Sequence, residues 1–373
     1  VGSEMCIRDS LYMPVEPYRN HPDVIQPWRN WSEDETLHLV IPYSNPFRWN
    51  TRRQLSNDCI RHLRNMPNVK LYVVEIAYGD RPHEVTSPDN PNDLQLRTKS
   101  ELFHKENLIN LGVQRFPVDW KYGGYVDGDF HFTRHDMALE AIHQLQHYEF
   151  VQLFSQYADL SGKTYGTAGR VLRVNNGFAY NYIQNGYQLP EGYVNGGWKG
   201  KKETPSGYYD SILGPGPRGV GATGGAWAWR RSAYDVVGGM LDVCVLGHGD
   251  WHMTFGLVGE EAPDMHTNGY SQDYHRAIVA WKNAAAKLKK NIGYVDGFAT
   301  HAFHGSKTRR GYSTRDIILV KHGFSPLSDI RRNWQGVWEL TPDKPGLRDD
   351  IRRYFISRTE DDTYLYGEKE LIP

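Results

Sequence analysis

The sequence predicts an α/β fold with a central, mostly parallel sheet flanked by helices. Three observations predict it. Apolar runs of strand length, "LHLVIPY" at Leu37–Tyr43 and "VKLYVVEIA" at Val69–Ala77, are separated by a charged, helix-patterned stretch over about Trp49–Met66. Glu75, Asp127 and Asp129 stand where such runs end, the side of an open α/β sheet on which ligands bind. The chain of 373 residues, 39% hydrophobic, is long enough to bury one large core.

The elements follow in order. Residues 1–10, "VGSEMCIRDS", lack a start methionine and read as a foreign leader, outside the fold. Residues 11–36 are polar and rich in Pro and Trp, an irregular lead-in. Residues 78–98 hold three prolines and several Asn and Asp, and read as a loop. Glu101–Phe116 places Leu102, Leu108, Ile109 and Val113 on one helical face. A third strand ends at Asp127–Asp129, a helix follows over Arg134–His147, and "EFVQLFSQY" reads as one more strand. Residues 158–222 are dense in Gly, Asn, Tyr and Pro, a length that inside a compact protein marks a functional lid or loop. Beyond it, "GATGGAWAWRRSAYDVVGGM" turns a Gly-rich approach into a strand and helix. Ser271–Asn291 is a helix and Ile292–Lys307 a last strand running into histidines. Residues 316–373 read as a charged, helical C-terminal extension.

Composition narrows the function. A formal net charge of -1 leaves no basic excess for a polyanion, so nucleic acid is not the expected partner. Local pairs such as Arg230-Arg231 and Arg309-Arg310 suit one small anion instead. Cys6, Cys59 and Cys244 show neither paired nor metal-like spacing, which points to a reducing, cytoplasmic setting. No stretch reaches the roughly 20 apolar residues of a membrane span. The oligomeric state is not legible.

Three motifs carry chemistry. In "YVDGDFHF", alternation along an extended chain would point Asp127 and Asp129 to one side, a pair that suits either a divalent cation with oxygen ligands or a simple Asp-Gly turn. "HAFHG" sets His301 and His304 three apart, as ligands or as packed imidazoles; one carboxylate with two imidazoles suits Mn²⁺ or another first-row ion. Lys307, Arg309, Arg310 and Arg315 follow, and would neutralise a diphosphate if they face the same cleft. In "GGAWAWRR", Gly224 and Gly225 let backbone approach a ligand, and Trp227 and Trp229 offer ring faces. In "GHGDWHM", Asp250 is either a helix N-cap or a general base.

Taken in order, these segments resemble a glycosyltransferase of the GT-A fold, most of all the inverting galactosyltransferase-like group. "LVIPYSNPFR" resembles the family's opening "IIPFRNR", and "FHKENLINLGV" resembles "FNRAKLLNVGF". "YVDGDFHF" matches the strand carrying D-x-D, and "GATGGAWAWRRSAYDVVGGM" resembles "GGVSALTKEQFLKINGF". "GHGDWHM" stands where the family has "GGEDDD", and "HAFHGSK" matches its Met-x-x-His segment with His301 in place of Met. The resemblance spans 37–315.

It implies transfer of a hexose from a nucleotide-diphosphate sugar, UDP-sugar favoured, to a glycan or other hydroxyl acceptor, with Mn²⁺ or Mg²⁺. It implies metal ligation by Asp129, His304 and His301, and Asp250 as the base that inverts the anomeric centre. Pro42, Tyr43, Glu75, Lys105, Asn107, Asp127, Gly225 and Trp227 would bind the nucleotide sugar. The competing reading is a non-catalytic carbohydrate-binding protein with a structural cation.

Overall fold

The computed structural model describes residues 35–361 other than 162–170, 191–192, 194–218, 268, 306–307 and 313. The ten residues expected to be a leader, nearly all of the lead-in and most of the expected lid lie outside the described residues. Strand β1 (Leu37–Ser44) leads through helix α1 (Asn50–Arg64) to β2 (Val69–Tyr78). β3 (Asp93–Thr98) comes next, then α2 (Lys105–Val113) and β4 (Tyr122–Val126). After these come β5 (Phe130–Phe132), α3 (Met137–Gln144), β6 (Phe150–Gln152), β7 (Gln156–Leu160), β8 (Val171–Asn176) and α4 (Phe178–Gln184). β9 (Ala226–Arg230) runs into α5 (Arg231–Val237), followed by α6 (Gly249–Leu257), α7 (Asp264–Thr267) and α8 (Gln272–Ala285). The last elements are β10 (Ile292–Tyr294), β11 (Phe298–His301), α9 (Ile317–Lys321), the hairpin β12 (Ile330–Arg332) and β13 (Trp338–Leu340), and α10 (Pro345–Ser357).

The main sheet has seven strands in the order β10-β6-β9-β4-β1-β2-β3. β9 alone runs antiparallel to its neighbours, β4 and β6. The fold is therefore mixed α/β with a large, mostly parallel sheet flanked by helices, as the sequence predicts. Its centre is apolar on both faces, as parallel strands covered by helices require: Leu39, Val40, Ile41, Val73 and Val74 are fully buried. Helix α2 lies hard against β1 and β2 at Gly112, where an added Cβ would come 2.8 Å from Val40 and 2.9 Å from Val74. That contact fixes Lys105, at the first turn of α2, relative to the strand ends.

Three expectations are corrected. Residues 78–98 are not all loop, because Asp93–Thr98 forms β3, parallel to β2. β3 is an edge strand that keeps polar residues on its open side, so its sequence lacks an apolar run. "EFVQLFSQY" and "IGYVDGFATHAFHGSK" each supply two strands, one to the main sheet and one to a second sheet ordered β5-β11-β7-β8. The C-terminal region contains the β12–β13 hairpin as well as helices. The hairpin covers the open edge of β3, where Gln335 accepts from Arg97 N at 2.8 Å and Glu339 accepts from Lys99 N at 3.2 Å. No helix among the described residues is long and apolar enough to cross a membrane.

Candidate functional site

The two aspartates of "DGD" part company. β4 ends at Val126, Gly128 and Asp129 form a turn, and β5 begins at Phe130. Phe130 N donates to Asp127 O at 3.2 Å to close that turn. The expectation of one extended segment, with both carboxylates on the same side, is thus corrected. Gly128 is required by close approach, since a Cβ there would lie 2.6 Å from Ser56 Oγ.

Asp129 turns toward the second sheet. Its Oδ2 lies 2.7 Å from His304 Nε2 and 3.6 Å from His301 Nε2, while its Oδ1 is buried with no hydrogen-bond partner. The ligand atoms of Asp129, His301 and His304 all lie within 4.8 Å of one another. One carboxylate, two imidazoles and an orphaned oxygen form a donor set that fits a divalent first-row cation. Each histidine is backed by a further carboxylate. His301 Nδ1 is 2.7 Å from Asp159 Oδ1, and His304 Nδ1 is 3.6 Å from Glu360 Oε2. Such partners orient imidazoles that ligate metal. Asp159 is itself held by Arg173 at 2.5 Å and Asn175 at 2.9 Å. Glu360, fully buried, pairs with Arg52 at 2.5 Å and Arg358 at 2.9 Å. Burial opposes a charge on His301, but Asp129 and Asp159 outweigh it and push the imidazole up to about 10. Burial likewise opposes ionisation of Asp129, yet the two imidazoles hold it well below the usual carboxylate range.

Asp127 turns the other way, to Lys105. Lys105 Nζ lies 2.9 Å from Asp127 and 3.3 Å from Asp250, so one ammonium joins the end of β4 to the start of α6. Asp250 Oδ1 also accepts from Trp251 N at 2.8 Å, and Gly225 N donates to Asp127 at 3.2 Å. Burial alone would raise Asp250, but Lys105, Arg315 and His248 lower it, so it stays ionised at neutral pH.

Lys105, Asp127, Asp129, Asp250, His301 and His304 line one cleft, open to solvent, with about 1160 Å³ of empty space. Pro42, Tyr43 and Lys105 wall it on the β1–α2 side, and Arg310, Arg315 and Arg358 on the other. A second hollow, entered past Gly225, Tyr157 and Trp251, shares Asp127, Asp250, His301, Arg310 and Arg315 with the first. Arg310 and Arg315 are buried, each with an unpartnered Nε, and among the described residues neither is paired with a carboxylate. Their hydrogen bonds go to neutral partners, Tyr312 and Gly305 O for Arg310 and Tyr354 for Arg315, so their positive charge is suited to an anion.

Other expected site residues lie elsewhere. Glu75 does not line the cleft. Its buried carboxylate accepts from Val85 N at 3.0 Å, Thr86 N at 2.9 Å and Thr86 Oγ1 at 2.6 Å, and also from Glu84 N, so it organises the loop after β2. Asn107 is buried and bonds Asp242, Gly336 O and Trp338 N, which fastens α2 to the hairpin. Trp227 packs in the core of β9 with Nε1 donating to Thr223 O at 2.8 Å. Its ring face is not offered to a ligand, because the two faces of this central strand are both covered. Arg309 bonds Thr359 rather than the cleft, and Lys307 lies outside the described residues. The sequence reading missed Arg52, Asp159, Glu360 and Tyr312, the last of which lines both hollows. None of them left a signal in the sequence; the pairing of Asp159 with His301 is visible only in the β11–β7 register.

No family model and no curated protein matches the chain. Among solved structures, it is similar to the catalytic domain of Drosophila beta1,4-galactosyltransferase 7 in complex with xylobiose, at 10% identity and a TM-score of 0.34, over 84% of this chain and 97% of that one. A mutant of that enzyme in complex with manganese, UDP-Gal and xylobiose matches over the same shares, at 10% identity and a TM-score of 0.32. A protein of Desulfovibrio desulfuricans G20 described as a nucleotide-diphospho-sugar transferase matches at 9% identity and a TM-score of 0.28, over 86% of this chain and 97% of that one. Scores this low add no residue role, and the site stands on its own distances.

Proposed function

We propose that the protein is a metal-dependent glycosyltransferase that moves a hexose from a nucleotide-diphosphate sugar to a hydroxyl of a glycan or similar acceptor, with inversion. A UDP-sugar is the favoured donor and manganese or magnesium the favoured ion. The observation that carries this reading is the meeting, in one cleft, of the Asp129–His301–His304 set, two buried arginines free of carboxylates, and Asp250.

A divalent cation held by Asp129, His301 and His304 would neutralise charge growing on a departing diphosphate. Arg310 and Arg315 add fixed positive charge to the same cleft and need no reorganisation to do so. Pro42 and Tyr43, at the end of β1, wall the side where a nucleoside would lie. Asp250 borders both hollows and stays ionised, which suits it to take the proton of an acceptor hydroxyl. The hydroxyl oxygen then bonds to the anomeric carbon, and the carbon–oxygen bond to the diphosphate breaks on the opposite face.

The test is a thermal-shift and turnover screen of nucleotide sugars with Mn²⁺. Stabilisation by UDP or a UDP-sugar only with metal present, and its loss in Asp129→Ala, is the expected result. Asp250→Asn should cut transfer about 100-fold or more while donor binding survives. Donor binding that is indifferent to chelation would sink the proposal in favour of a carbohydrate-binding protein.

A further inference from the structure

A second cluster of ligating groups lies beyond the Asp129 set, and nothing in the proposed transfer uses it as such. His248 Nδ1, Asp264 and Asp316 carry ligand atoms that all lie within 4.8 Å of one another. His248 Nδ1 is 2.5 Å from Asp316 Oδ2, and Tyr270 OH reaches both carboxylates, Asp316 at 2.7 Å and Asp264 at 3.1 Å. Close-set carboxylates alone would carry little, since tyrosine and tryptophan donors already serve them; Trp251 Nε1 donates to Asp264 at 2.9 Å.

The independent observation is His252. It is 2% exposed, and neither ring nitrogen has a hydrogen-bond partner. Its Nε2 points at the cluster, 3.9 Å from Asp264 Oδ2. A buried imidazole with two orphaned nitrogens carries a desolvation cost that no contact returns, and such a group signals a missing ligand. His248 and His252 are also four apart at the start of α6, with Gly249 as its first helical residue, a spacing that lets two imidazoles meet one ion. Their ring centroids are 6.4 Å apart and nearly perpendicular. His248 holds φ +69°, a conformation uncommon for a residue other than glycine, which brings its ring back toward Asp316.

We propose that His248, His252, Asp264 and Asp316 form a second, structural divalent-cation site, separate from the Asp129 set. Two imidazoles and two carboxylates, with His252 and Asp316 buried and His248 and Asp264 partly exposed, suit zinc in four-coordination rather than a hard ion that demands oxygen throughout. The cation ties α6 and α7 to the chain just before α9. It thereby secures the turn that presents Asp250, two residues after His248. The site does not depend on the transfer reading.

The experiment uses the full chain carrying Asp129→Ala, His301→Ala and His304→Ala, which removes the first donor set, stripped of metal and titrated with Co²⁺ and then Zn²⁺. One equivalent of Co²⁺ with the visible absorption of a four-coordinate centre, displaced by Zn²⁺, is expected. Adding His252→Ala should weaken binding about 100-fold. The near-isosteric Asp316→Asn should do the same and keeps the test informative if His252→Ala does not fold. No bound equivalent, or binding that neither substitution weakens, overturns the site. Because the first set is absent from this protein, neither outcome bears on metal-dependent transfer.

Discussion

His301 Nδ1 lies 2.7 Å from Asp159 Oδ1, and the two residues are register partners across the parallel β11–β7 pair. The ladder therefore holds the imidazole by its far nitrogen and aims Nε2 at Asp129. Asp159→Asn keeps the shape and removes the charge that fixes the ring. The expected outcome is a loss of roughly 10–100-fold in Mn²⁺ affinity with little change in fold. Titration followed by electron paramagnetic resonance of free Mn²⁺ measures it, and an unchanged affinity contradicts the role given to Asp159.

Lys105 stands between Asp127 and Asp250, and its charge keeps two half-buried carboxylates from facing each other alone. Replacing it with methionine preserves much of the volume and strands both anions. With both carboxylates about a quarter exposed, the cost falls below that of a fully buried pair, and Lys105→Met should lower the unfolding free energy by about 1.5–3 kcal/mol. Urea denaturation at pH 7 reads the change. The double change Lys105→Met with Asp127→Asn should recover a substantial part of it, because one stranded charge is then gone.

Much of this arrangement was legible, and the reasons it was not wholly so are specific. β1, β2 and α2 announce themselves because both faces of the parallel strands are covered, which demands near-continuous apolar runs such as Leu39–Pro42. The meeting of Asp129, His301 and His304 was half legible: His301 and His304 stand three apart in one short motif and Asp129 ends another, but nothing local in the sequence joins the two segments. Asp159 escaped because the second sheet is assembled from strands far apart in the chain, and its pairings leave no local pattern. Glu75 and Asn107 were misplaced for the opposite reason. Each stands where a ligand contact is expected, but Glu75 is consumed by the backbone of the next loop, and Asn107 by Asp242 and the backbone of the distant β12–β13 hairpin.

The C-terminal strap offers a third test. Glu360 pairs with Arg52 and Arg358 behind His304, and Asp361 accepts from Asn50 N at 3.0 Å and Thr51 N at 2.8 Å at the start of α1. An anion at that helix start also meets the favourable end of its dipole. Ending the chain after Ser357 removes all of these contacts and exposes the rear of His304. Such a protein should fold with a lowered Tm and bind Mn²⁺ at least about 10-fold more weakly. Metal affinity equal to that of the full chain, measured calorimetrically, would show that the strap has no part in the ion site.

Glu106 supplies a pH dependence whose sign can be worked out. It is 2% exposed, and its carboxyl packs against Gly249, beside the Lys105–Asp250 contact. Burial pushes it up to about 8; Lys105 pulls it down and Asp250 pushes it further up. Between the unfolded value near 4.5 and about 8, the folded chain holds a proton that the unfolded chain has released. Unfolding therefore becomes easier as pH rises through that window, by about 1.4 kcal/mol per pH unit at most. The stability that neutral Glu106 permits is complete below pH 4.5 and gone above about 8. Glu106→Gln is neutral in both states and removes this slope. Urea unfolding at pH 5, 6.5 and 8.5 should show the variant gaining on the parent at each step, by roughly 3–5 kcal/mol in all. Parallel curves for the two proteins would mean that Glu106 is ionised in the folded chain.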